Sequence, residues 1–262
     1  MKTPDILKEI VQKKKEKILL TKQQFSEEDL KIKIQGLPPT RPFIEAINKP
    51  RTISLIAEIK KASPSQGVIR QEFNPADIAG IYQEVGVQAI LVLTEEDYFM
   101  GNISHLGEVR NAVNLPILRK DFILESYQVY ESRYFGADAI LLIADLLTKD
   151  KITELMQIAS GLGLACLVEV HDEKELKKVL NLKAPLIGIN NRDLHTLAVD
   201  FKITEKLYPL IPKDIVVIVE SGIKSYQDVL FLKILGVNAV LIGQVFMESQ
   251  DLRRKVEEVM GW

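Results

Sequence analysis

Charged side chains close several apolar runs of this sequence, most visibly in the stretch Leu55-Ile-Ala-Glu-Ile-Lys60. The alternation of apolar and polar residues predicts a strand on which Glu58 and Lys60 share one face. A charge at the end of a buried strand costs free energy unless it is paired or takes part in chemistry. Pro64 and Gly67 end the strand directly afterwards. By itself, the stretch fits a structural ion pair as well as it fits a reactive one.

The same pattern recurs further along the chain, where polar residues stand at the C-terminal ends of other apolar runs. Together with the first pair, these residues are Glu58, Lys60, Lys120, Glu169, Asn190, Arg192 and Glu220. One solvated charge at a strand end occurs by chance, but the repetition of the pattern favours a shared site.

Short apolar runs alternate with amphipathic patterns from Ile53 to the C-terminus. The apolar runs predict strands at 53–60, 88–94, 116–121, 138–143, 164–170, 185–190, 215–220 and 238–243. The amphipathic patterns predict helices at about 75–85, 105–113, 125–135, 150–161, 172–181, 202–208, 225–235 and 246–259. Because the strands are apolar on both faces and alternate with helices, they indicate a parallel sheet.

A short motif repeats at the helix-to-strand junctions, as in Glu84-Val-Gly-Val-Gln-Ala-Ile-Leu91, and similar segments occupy 134–141 and 234–241. Its glycine falls just past a helix, where a left-handed cap suits it, and a strand is predicted two residues later. The eight strand–helix units predict an α/β protein, a (β/α)8 TIM barrel. A doubly wound sheet is the alternative, but no glycine-rich nucleotide loop follows the first strand.

In such a barrel the polar strand ends converge on one mouth. Parallel strands all end at the same face, and barrel enzymes carry their chemistry there. The cations Lys60, Lys120 and Arg192 would face the carboxylates, and the charges would roughly neutralise one another.

Two glycine turns follow the last two predicted strands, in Glu220-Ser-Gly-Ile-Lys224 and Leu241-Ile-Gly-Gln-Val-Phe246. A single glycine is more often a turn or a helix cap. In barrels, however, the loops after the last two strands commonly form a phosphate site with the N-terminus of a short extra helix. The pair of turns therefore predicts a small phosphorylated substrate.

Residues 1–50 are predicted to form a helical extension of the barrel at 51–262, within one domain spanning 1–262. Residues 4–34 fit one or two amphipathic helices whose apolar face carries Ile6, Ile10, Ile18 and Leu19. The basic run at 13–15 is interpreted as a solvated helix face. Prolines within 37–43 break the helix, and extended chain then leads to the first strand.

Composition limits the classes of function. The chain has 262 residues, 47% hydrophobic and 27% charged, and its net charge of -2 argues against nucleic-acid binding. We expect a cytoplasmic protein with no membrane partner, because neither a signal peptide nor a membrane-spanning run is visible. A monomer is compatible with the sequence. Cys166 is interpreted as a small buried hydrophobe, and the scattered His105, His171 and His195 predict no metal site.

Several motifs occur in a fixed order along the chain. They are Glu58-Ile-Lys-Lys-Ala-Ser-Pro-Ser65, Leu118-Arg-Lys-Asp-Phe122, Leu167-Val-Glu-Val-His171, Ile187-Gly-Ile-Asn-Asn-Arg-Asp-Leu194, Val219-Glu-Ser-Gly-Ile223 and Leu241-Ile-Gly243. Together they resemble the indole-3-glycerol-phosphate synthase family of tryptophan biosynthesis, from about Leu37 to the C-terminus. Related phosphate-binding barrels share the last two motifs but not the first two. The N-terminal extension is similar to the extra helix of that family.

The resemblance implies conversion of 1-(2-carboxyphenylamino)-1-deoxyribulose 5-phosphate into indole-3-glycerol phosphate, with loss of carbon dioxide and water and without a cofactor or metal. Lys120 matches the lysine that protonates the substrate carbonyl during ring closure. Glu169 matches the carboxylate that stabilises the cationic intermediate and later takes a proton, and Glu58 matches a second carboxylate. Lys60 resembles the lysine that contacts substrate anions and serves as an acid during dehydration.

Further residues match the substrate-binding frame of the family. The polar residues of that frame are matched here by Asn190, Arg192 and Glu220. The family positions that pack on the aryl ring are matched by Phe99, Phe122, Leu141 and Leu194. Ser63 matches the mobile loop after strand one, and the phosphate loops match Ser221, Gly222, Leu241 and Gly243. Gln244 replaces a serine often found there, so phosphate contacts at this position would use backbone N–H groups. The segment 37–43 is expected near the mouth, with Arg41 or Phe43 closing the site.

The chemistry of the residues agrees with this implied substrate. A phosphate at one end and a carboxylate at the other favour a cationic site, and lysines among neighbouring cations are expected to become better acids. Two other functions stay open here. One is a different sugar-phosphate barrel enzyme, such as a phosphoribosylanthranilate isomerase or a tryptophan synthase α-like lyase. The other is a catalytically silent phosphate-binding subunit.

Overall fold

A closed barrel of parallel strands forms the centre of the computed structural model, which describes residues 6–262. The strands are β1 (Ser54–Ile59), β2 (Ala89–Leu93), β3 (Ile117–Lys120), β4 (Ala139–Ile143), β5 (Ala165–Val170), β6 (Leu186–Asn190), β7 (Val216–Glu220) and β8 (Ala239–Ile242). Each strand pairs with the next in the chain, and β8 closes on β1 with Leu55 opposite Val240. The predicted (β/α)8 TIM barrel is confirmed.

Helices surround the barrel and precede it. They are α1 (Ile6–Gln24), α2 (Glu27–Lys33), α3 (Phe43–Ile47), α4 (Pro75–Glu84), α5 (Ser104–Ala112), α6 (Ser126–Tyr134), α7 (Lys149–Gly161), α8 (Glu173–Leu180), α9 (Lys202–Leu207), α10 (Tyr226–Leu235), α11 (Gln244–Met247) and α12 (Leu252–Met260). Short 3-10 turns cover Ala144–Leu146 and Tyr208–Leu210, and a small hairpin pairs Ala62–Ser63 with Gly67–Val68.

The predicted helix at 246–259 is wrong as one element, because two helices occupy this region. The short α11 ends at Met247, and α12 starts anew at Leu252. Asp251 begins the second helix by accepting a hydrogen bond from the backbone N–H of Arg254, at 3.0 Å. The periodicity continues across the break, so the amphipathic pattern did not reveal it.

Two apolar layers hold the barrel together, as expected for strands that are apolar on both faces. Outward residues such as Leu55 and Ala57 pack against the helices, and inward residues such as Ile56 and Leu118 fill the interior. Glycine caps set the helix-to-strand junctions: Gly86, Gly136 and Gly236 have φ of 88°, 93° and 103°. The next strand begins three residues after each glycine, one later than predicted.

Helix α1 lies at the mouth of the barrel and forms the first part of the extension. Leu7 and Ile10 are buried there in one cluster with Phe122. Ile18 is also buried, but Leu19 is 62% exposed, so the prediction that Leu19 belongs to the covered face is wrong. Residues 1–5 of the predicted extension lie outside the described residues.

The segment 37–43 lies at the opposite end of the barrel from the mouth, so its predicted place is wrong. Arg41 donates its backbone N–H to Asp138 Oδ1 at 2.7 Å and a guanidinium N–H to the carbonyl of Leu115 at 2.8 Å. Both partners precede strands, at their N-terminal ends. Phe43 begins helix α3, which packs against β1 and β2. Because α2 packs beside α6, it carries the chain away from the mouth.

Lys14 corrects the interpretation of the basic run at 13–15 as a solvated helix face. Its side chain is 5% exposed, and Nζ lies 2.8 Å from Asp121 Oδ1 and 2.9 Å from Glu96 Oε2. Lys14 stands in phase with Leu7, Ile10 and Ile18 on the buried stripe of α1. Its spacing from these apolar residues was the available sequence signal.

A buried ion network continues from Lys14 into the strand end beside Lys120. Asp121 also accepts hydrogen bonds from Thr94 Oγ1 at 2.6 Å and from Arg119 at 3.0 Å. Burial alone would raise the pKa of Asp121, but Lys14 and Arg119 outweigh it and hold that pKa well below its usual range. Helix α1 is therefore anchored by charge next to the C-terminal end of β3.

Lys14→Met should destabilise the protein by about 2 kcal/mol, because it removes one of the two cations beside buried Asp121 while keeping the apolar stem, and Arg119 remains. Urea unfolding measures the change. Lys15→Met, at an exposed neighbouring position of the same helix, is the matched control and should stay within about 0.5 kcal/mol of the parent. Equal losses in the two variants would contradict the anchoring role.

Candidate active site

A cavity of about 800 Å³ opens at the C-terminal mouth of the barrel. The predicted site residues that line it are Glu58, Lys60, Phe99, Lys120, Phe122, Glu169, Asn190, Arg192, Leu194, Glu220, Ser221, Gly222, Leu241, Gly243 and Gln244. Ser63 instead lines a smaller adjoining cavity of about 90 Å³ that is partly walled by α1. Leu141 is fully buried in the barrel interior and lines neither cavity. The structure thus brings nearly all of the predicted set together.

A layer of charged side chains from alternate strands forms the floor of the cavity. Glu58, Lys120, Glu169 and Glu220 come from β1, β3, β5 and β7. Alternate strands of a barrel contribute side chains to common layers. Two residues earlier on the same strands, the layer beneath is apolar and consists of Ile56, Leu118, Leu167 and Ile218. The charges therefore rest directly on the hydrophobic interior.

Lys120 is the cation of this layer. Its Nζ lies 2.8 Å from Glu220 Oε2 and 3.4 Å from Glu169 Oε2. Burial alone lowers the pKa of Lys120, but the negative charges of Glu220, Glu169 and Glu58 outweigh it and raise that pKa above its usual range. The expectation that this lysine loses proton affinity among cations is wrong for the ligand-free site, because its nearest neighbours are carboxylates.

The two carboxylates that share Lys120 differ in proton affinity. The pKa of Glu220 is raised to about 7, chiefly by burial. The negative charges of Glu169 and Glu58 also raise it, and together these effects outweigh the lowering by Lys120. At Glu169 burial acts the same way, but Lys120 and His171 outweigh it and hold its pKa well below the usual range. Neighbouring carboxyl groups with separated pKa values suit an acid and a base in one site.

Glu169 is fully buried, and two neighbouring side chains hold its carboxylate. Asn190 Nδ2 donates a hydrogen bond to Glu169 Oε1 at 3.0 Å, and His171 Nε2 lies 3.0 Å from the same oxygen. Sequence reasoning did not assign a role to His171. The available signal was its position two residues after Glu169, which places both side chains on one face of the strand.

Glu58 and Lys60 form the predicted pair, with Nζ 2.5 Å from Oε2. Gly243 makes room for this pair, because a Cβ there would overlap the carboxylate of Glu58. Gly188 does the same for Glu220, since its Cβ would lie 2.7 Å from Glu220 Oε1. Neither spatial role was visible in the sequence, because each depends on a neighbouring strand.

The predicted phosphate loops meet along one wall of the cavity. Ser221 and Gly222 have φ of 65° and 85°, so a left-handed turn directs the chain after β7. Gln244 accepts a contact from Arg192 Nη2 at 3.5 Å and donates to Glu248 Oε1 at 2.9 Å. Its side chain is thus engaged within the protein, and the use of its backbone for phosphate stays a prediction.

An apolar wall made of Phe99, Phe122 and Leu194 also borders the cavity. The rings of Phe99 and Phe122 pack in a tilted arrangement with centroids 6.4 Å apart. Ile6 and Leu7 of α1 extend this wall into the smaller cavity. The mouth therefore combines a charged floor with a surface suited to a flat aromatic group.

Other expectations concern metals, membranes and the cysteine. Within residues 6–262, no group of three or more His, Cys, Asp or Glu side chains is arranged to hold a metal ion. None of the helices in that range is both long and apolar enough to cross a membrane. Cys166 is buried, as predicted, and burial raises the pKa of its thiol to about 12.

Comparison with solved structures defines the class of fold. A chain of the tryptophan synthase complex from Pyrococcus furiosus is similar with a TM-score of 0.60 and 17% identity, over 80% of this chain and 98% of that one. N-acetylmannosamine-6-phosphate 2-epimerase from Clostridium perfringens gives a TM-score of 0.59 and 16% identity, over 78% and 91%. At these identities the likeness shows a shared barrel fold alone.

Comparison of sequences defines the family. The model of the indole-3-glycerol phosphate synthase family matches residues 7–259. The indole-3-glycerol phosphate synthase of Acetivibrio thermocellus is 49% identical over 97% of this chain and 98% of its own length. That of Dehalococcoides mccartyi strain CBDB1 is 51% identical over 81% and 83%. This chain belongs to the indole-3-glycerol phosphate synthase family.

Gly188→Ala should lower turnover at least about tenfold, because the added methyl group would displace Glu220 from Lys120 and cost about 1–2 kcal/mol of stability. Steady-state kinetics and urea unfolding measure both effects. Gly80→Ala in α4, where a Cβ meets nothing within 4 Å, is the control and should stabilise the protein by about 0.5–1 kcal/mol without changing turnover. Parent-like turnover in Gly188→Ala would refute the spatial role.

Glu220→Gln should flatten the pH dependence of stability between about pH 4.5 and 7. The folded-state pKa of about 7 exceeds the ordinary value of 4.5, so the folded protein binds an extra proton in this window. Glu220 therefore makes the parent less stable as pH rises through the window. Urea unfolding at several pH values measures the slopes. Exposed Glu205→Gln should keep the parent's slope, and parallel curves for all three proteins would count against the raised pKa.

Proposed function

We propose that this chain is a carboxy-lyase that converts 1-(2-carboxyphenylamino)-1-deoxyribulose 5-phosphate into indole-3-glycerol phosphate, in tryptophan biosynthesis. The observation that carries the proposal is the position of Lys120 between the buried carboxylates of Glu169 and Glu220, at 3.4 and 2.8 Å. Membership of the family supplies the substrate class, and the geometry supports the assignment of roles.

Binding uses both kinds of surface in the cavity. The phosphate is held by the turns at Ser221-Gly222 and Gly243-Gln244, with Arg192 as a nearby cation. The aryl ring packs on Phe99 and Phe122, which places its carboxylate and the ribulose carbonyl over the charged floor. Holding the two reacting carbons together in this way supplies much of the rate enhancement.

Ring closure joins the ring carbon that bears the carboxylate to the ribulose carbonyl carbon. Lys120 donates a proton to the carbonyl oxygen as this bond forms, and the ring system becomes cationic. Glu169 stabilises that cation, because its own pKa is held low and it stays ionised. Positive charge that develops beside Lys120 lowers the affinity of the ammonium for its proton. Proton transfer is therefore favoured at the stage when the new bond forms.

Loss of carbon dioxide returns the bonding electrons to the ring and removes the positive charge. The hydroxyl group made from the carbonyl then leaves as water. Loss of a proton from the neighbouring carbon forms the double bond that completes the indole. We assign the acid of this dehydration to Lys60, which is already paired with Glu58 at 2.5 Å. Glu169 takes the released proton, and no cofactor enters the proposal.

Lys120→Met should reduce turnover by about two orders of magnitude or more, because the proton donor is lost while the stem remains. Glu169→Gln should lower kcat much more than it changes KM, since its charge is needed when the cation forms. Indole fluorescence after mixing purified protein with the carboxyphenylamino-deoxyribulose phosphate reports the product.

The same assay separates the alternatives. No turnover by the purified parent would favour a silent phosphate-binding subunit. Turnover of phosphoribosylanthranilate, or of indole-3-glycerol phosphate to indole, in place of this substrate would indicate one of the other barrel enzymes. Near-normal turnover in Lys120→Met would remove the proposed role of that lysine.

A further inference from the structure

His171 joins the charged floor to a carboxylate outside the cavity. Its imidazole lies between Glu169 and Glu175, with Nε2 3.0 Å from Glu169 Oε1 and Nδ1 3.1 Å from Glu175 Oε2. The side chain is 11% exposed. A carboxylate oxygen lies within 3.1 Å of each ring nitrogen, with hydrogen-bond geometry at Nδ1, and two such close carboxylates favour a positively charged imidazole.

Glu175 fixes this imidazole from the first turn of α8. Its carboxylate also accepts the backbone N–H of His171 at 2.9 Å, and its own backbone N–H is capped by Asp172 at 2.8 Å. One carboxylate therefore holds this residue at its backbone N–H and at Nδ1, and Nε2 lies in ion contact with Glu169 Oε1 at 3.0 Å, outside hydrogen-bond geometry. This geometry goes beyond packing, since each polar contact orients the next.

We propose that His171 is a positioning residue that acts through Glu169: as an imidazolium, it keeps the Glu169 carboxylate ionised and directed toward Lys120. The proposal rests on the proposed function of Glu169 in the reaction. His171 lines neither described cavity and is not assigned a contact with the substrate.

The balance of charge around Glu169 explains why a second cation is needed. From β3 it faces Lys120, from β6 the neutral Asn190, and from β7 the carboxyl group of Glu220. Glu58 is paired with Lys60, so Lys120 alone would have to compensate Glu169 and Glu220. His171 adds positive charge on the side of Glu169 that is remote from Lys120, and a buried carboxylate needs such compensation to remain ionised.

The electrostatics of the imidazole agree with this geometry. Burial alone would lower the pKa of His171, but contacts with Glu169 and Glu175 outweigh it and raise that pKa to about 10. We therefore expect an imidazolium at neutral pH. Its charge supports Glu169 without titrating near neutral pH.

His171→Gln keeps a polar side chain but removes the charge, so Glu169 should become protonated at a higher pH. The acidic limb of the kcat profile should move upward to about pH 7, the pKa that burial and neighbouring carboxylates give to Glu220 in the same layer. We expect turnover to fall at least about tenfold at pH 6, to recover toward the parent's value at pH 9, and to do so with little change in KM. His105→Gln, on α5, is the matched control and should retain the parent's profile.

A loss of turnover by the same factor at every pH would overturn the proposal, since it would indicate a structural role alone. An unchanged profile would overturn it as well. If His171→Gln fails to fold, Glu175→Gln provides the second variant, because it leaves the contact between His171 and Glu169 in place. It should move the acidic limb in the same direction by a smaller amount, and an unmoved limb would contradict the proposal.

Nitrogen-15 NMR of the imidazole in ligand-free protein tests the proposal independently of catalysis. His171 should remain protonated on both nitrogens up to about pH 9, whereas a neutral ring at pH 7 would overturn the proposal. If the parent catalysed no reaction but the NMR result held, the proposed function would fail while the coupling of His171 to Glu169 stood. Turnover by a parent with a neutral ring would overturn the coupling and leave the proposed function in place.

Discussion

The rest of the site depends on one electrostatic constraint: one ammonium group, that of Lys120, is shared by carboxylates that the barrel buries. The charged side chains come from alternate strands and lie directly above the apolar interior, and the carboxylates of Glu169 and Glu220 are almost fully buried. Removing one ion from such a cluster leaves another uncompensated, which is far more costly than losing a surface pair. The cluster therefore fixes where the strand ends must lie as well as what chemistry they can perform.

Several distant features serve this cluster. Gly188 and Gly243 leave the space that the carboxylates of Glu220 and Glu58 occupy. Lys14 anchors α1 through Asp121, the residue directly after Lys120, so the helix that walls the mouth is tied to the strand that carries the cation. The helix that walls the mouth and the proposed proton donor are thus held by adjoining residues of β3 and its following loop.

The sequence predicted the barrel well because hydrophobic periodicity is a local signal repeated in every unit. It also predicted which polar residues meet, since strand parity and parallel order bring C-terminal ends together. It could not predict the sign of the pKa change at Lys120, which depends on distances to carboxylates from strands far apart in the chain. The prediction for segment 37–43 failed for a related reason. Its prolines indicate extended chain, but the packing of α2 on α6 determines which end of the barrel the segment reaches.

The most direct test of the account is the titration of the Lys120 ammonium in ligand-free protein, followed by nitrogen-15 NMR with Lys120→Met to assign the signal. If the buried carboxylates control the site, this lysine should show no titration below about pH 10.4, the ordinary lysine value. A midpoint between pH 7 and 9 would mean that burial or neighbouring cations dominate at Lys120, and it would contradict the charge arrangement on which the mechanism rests.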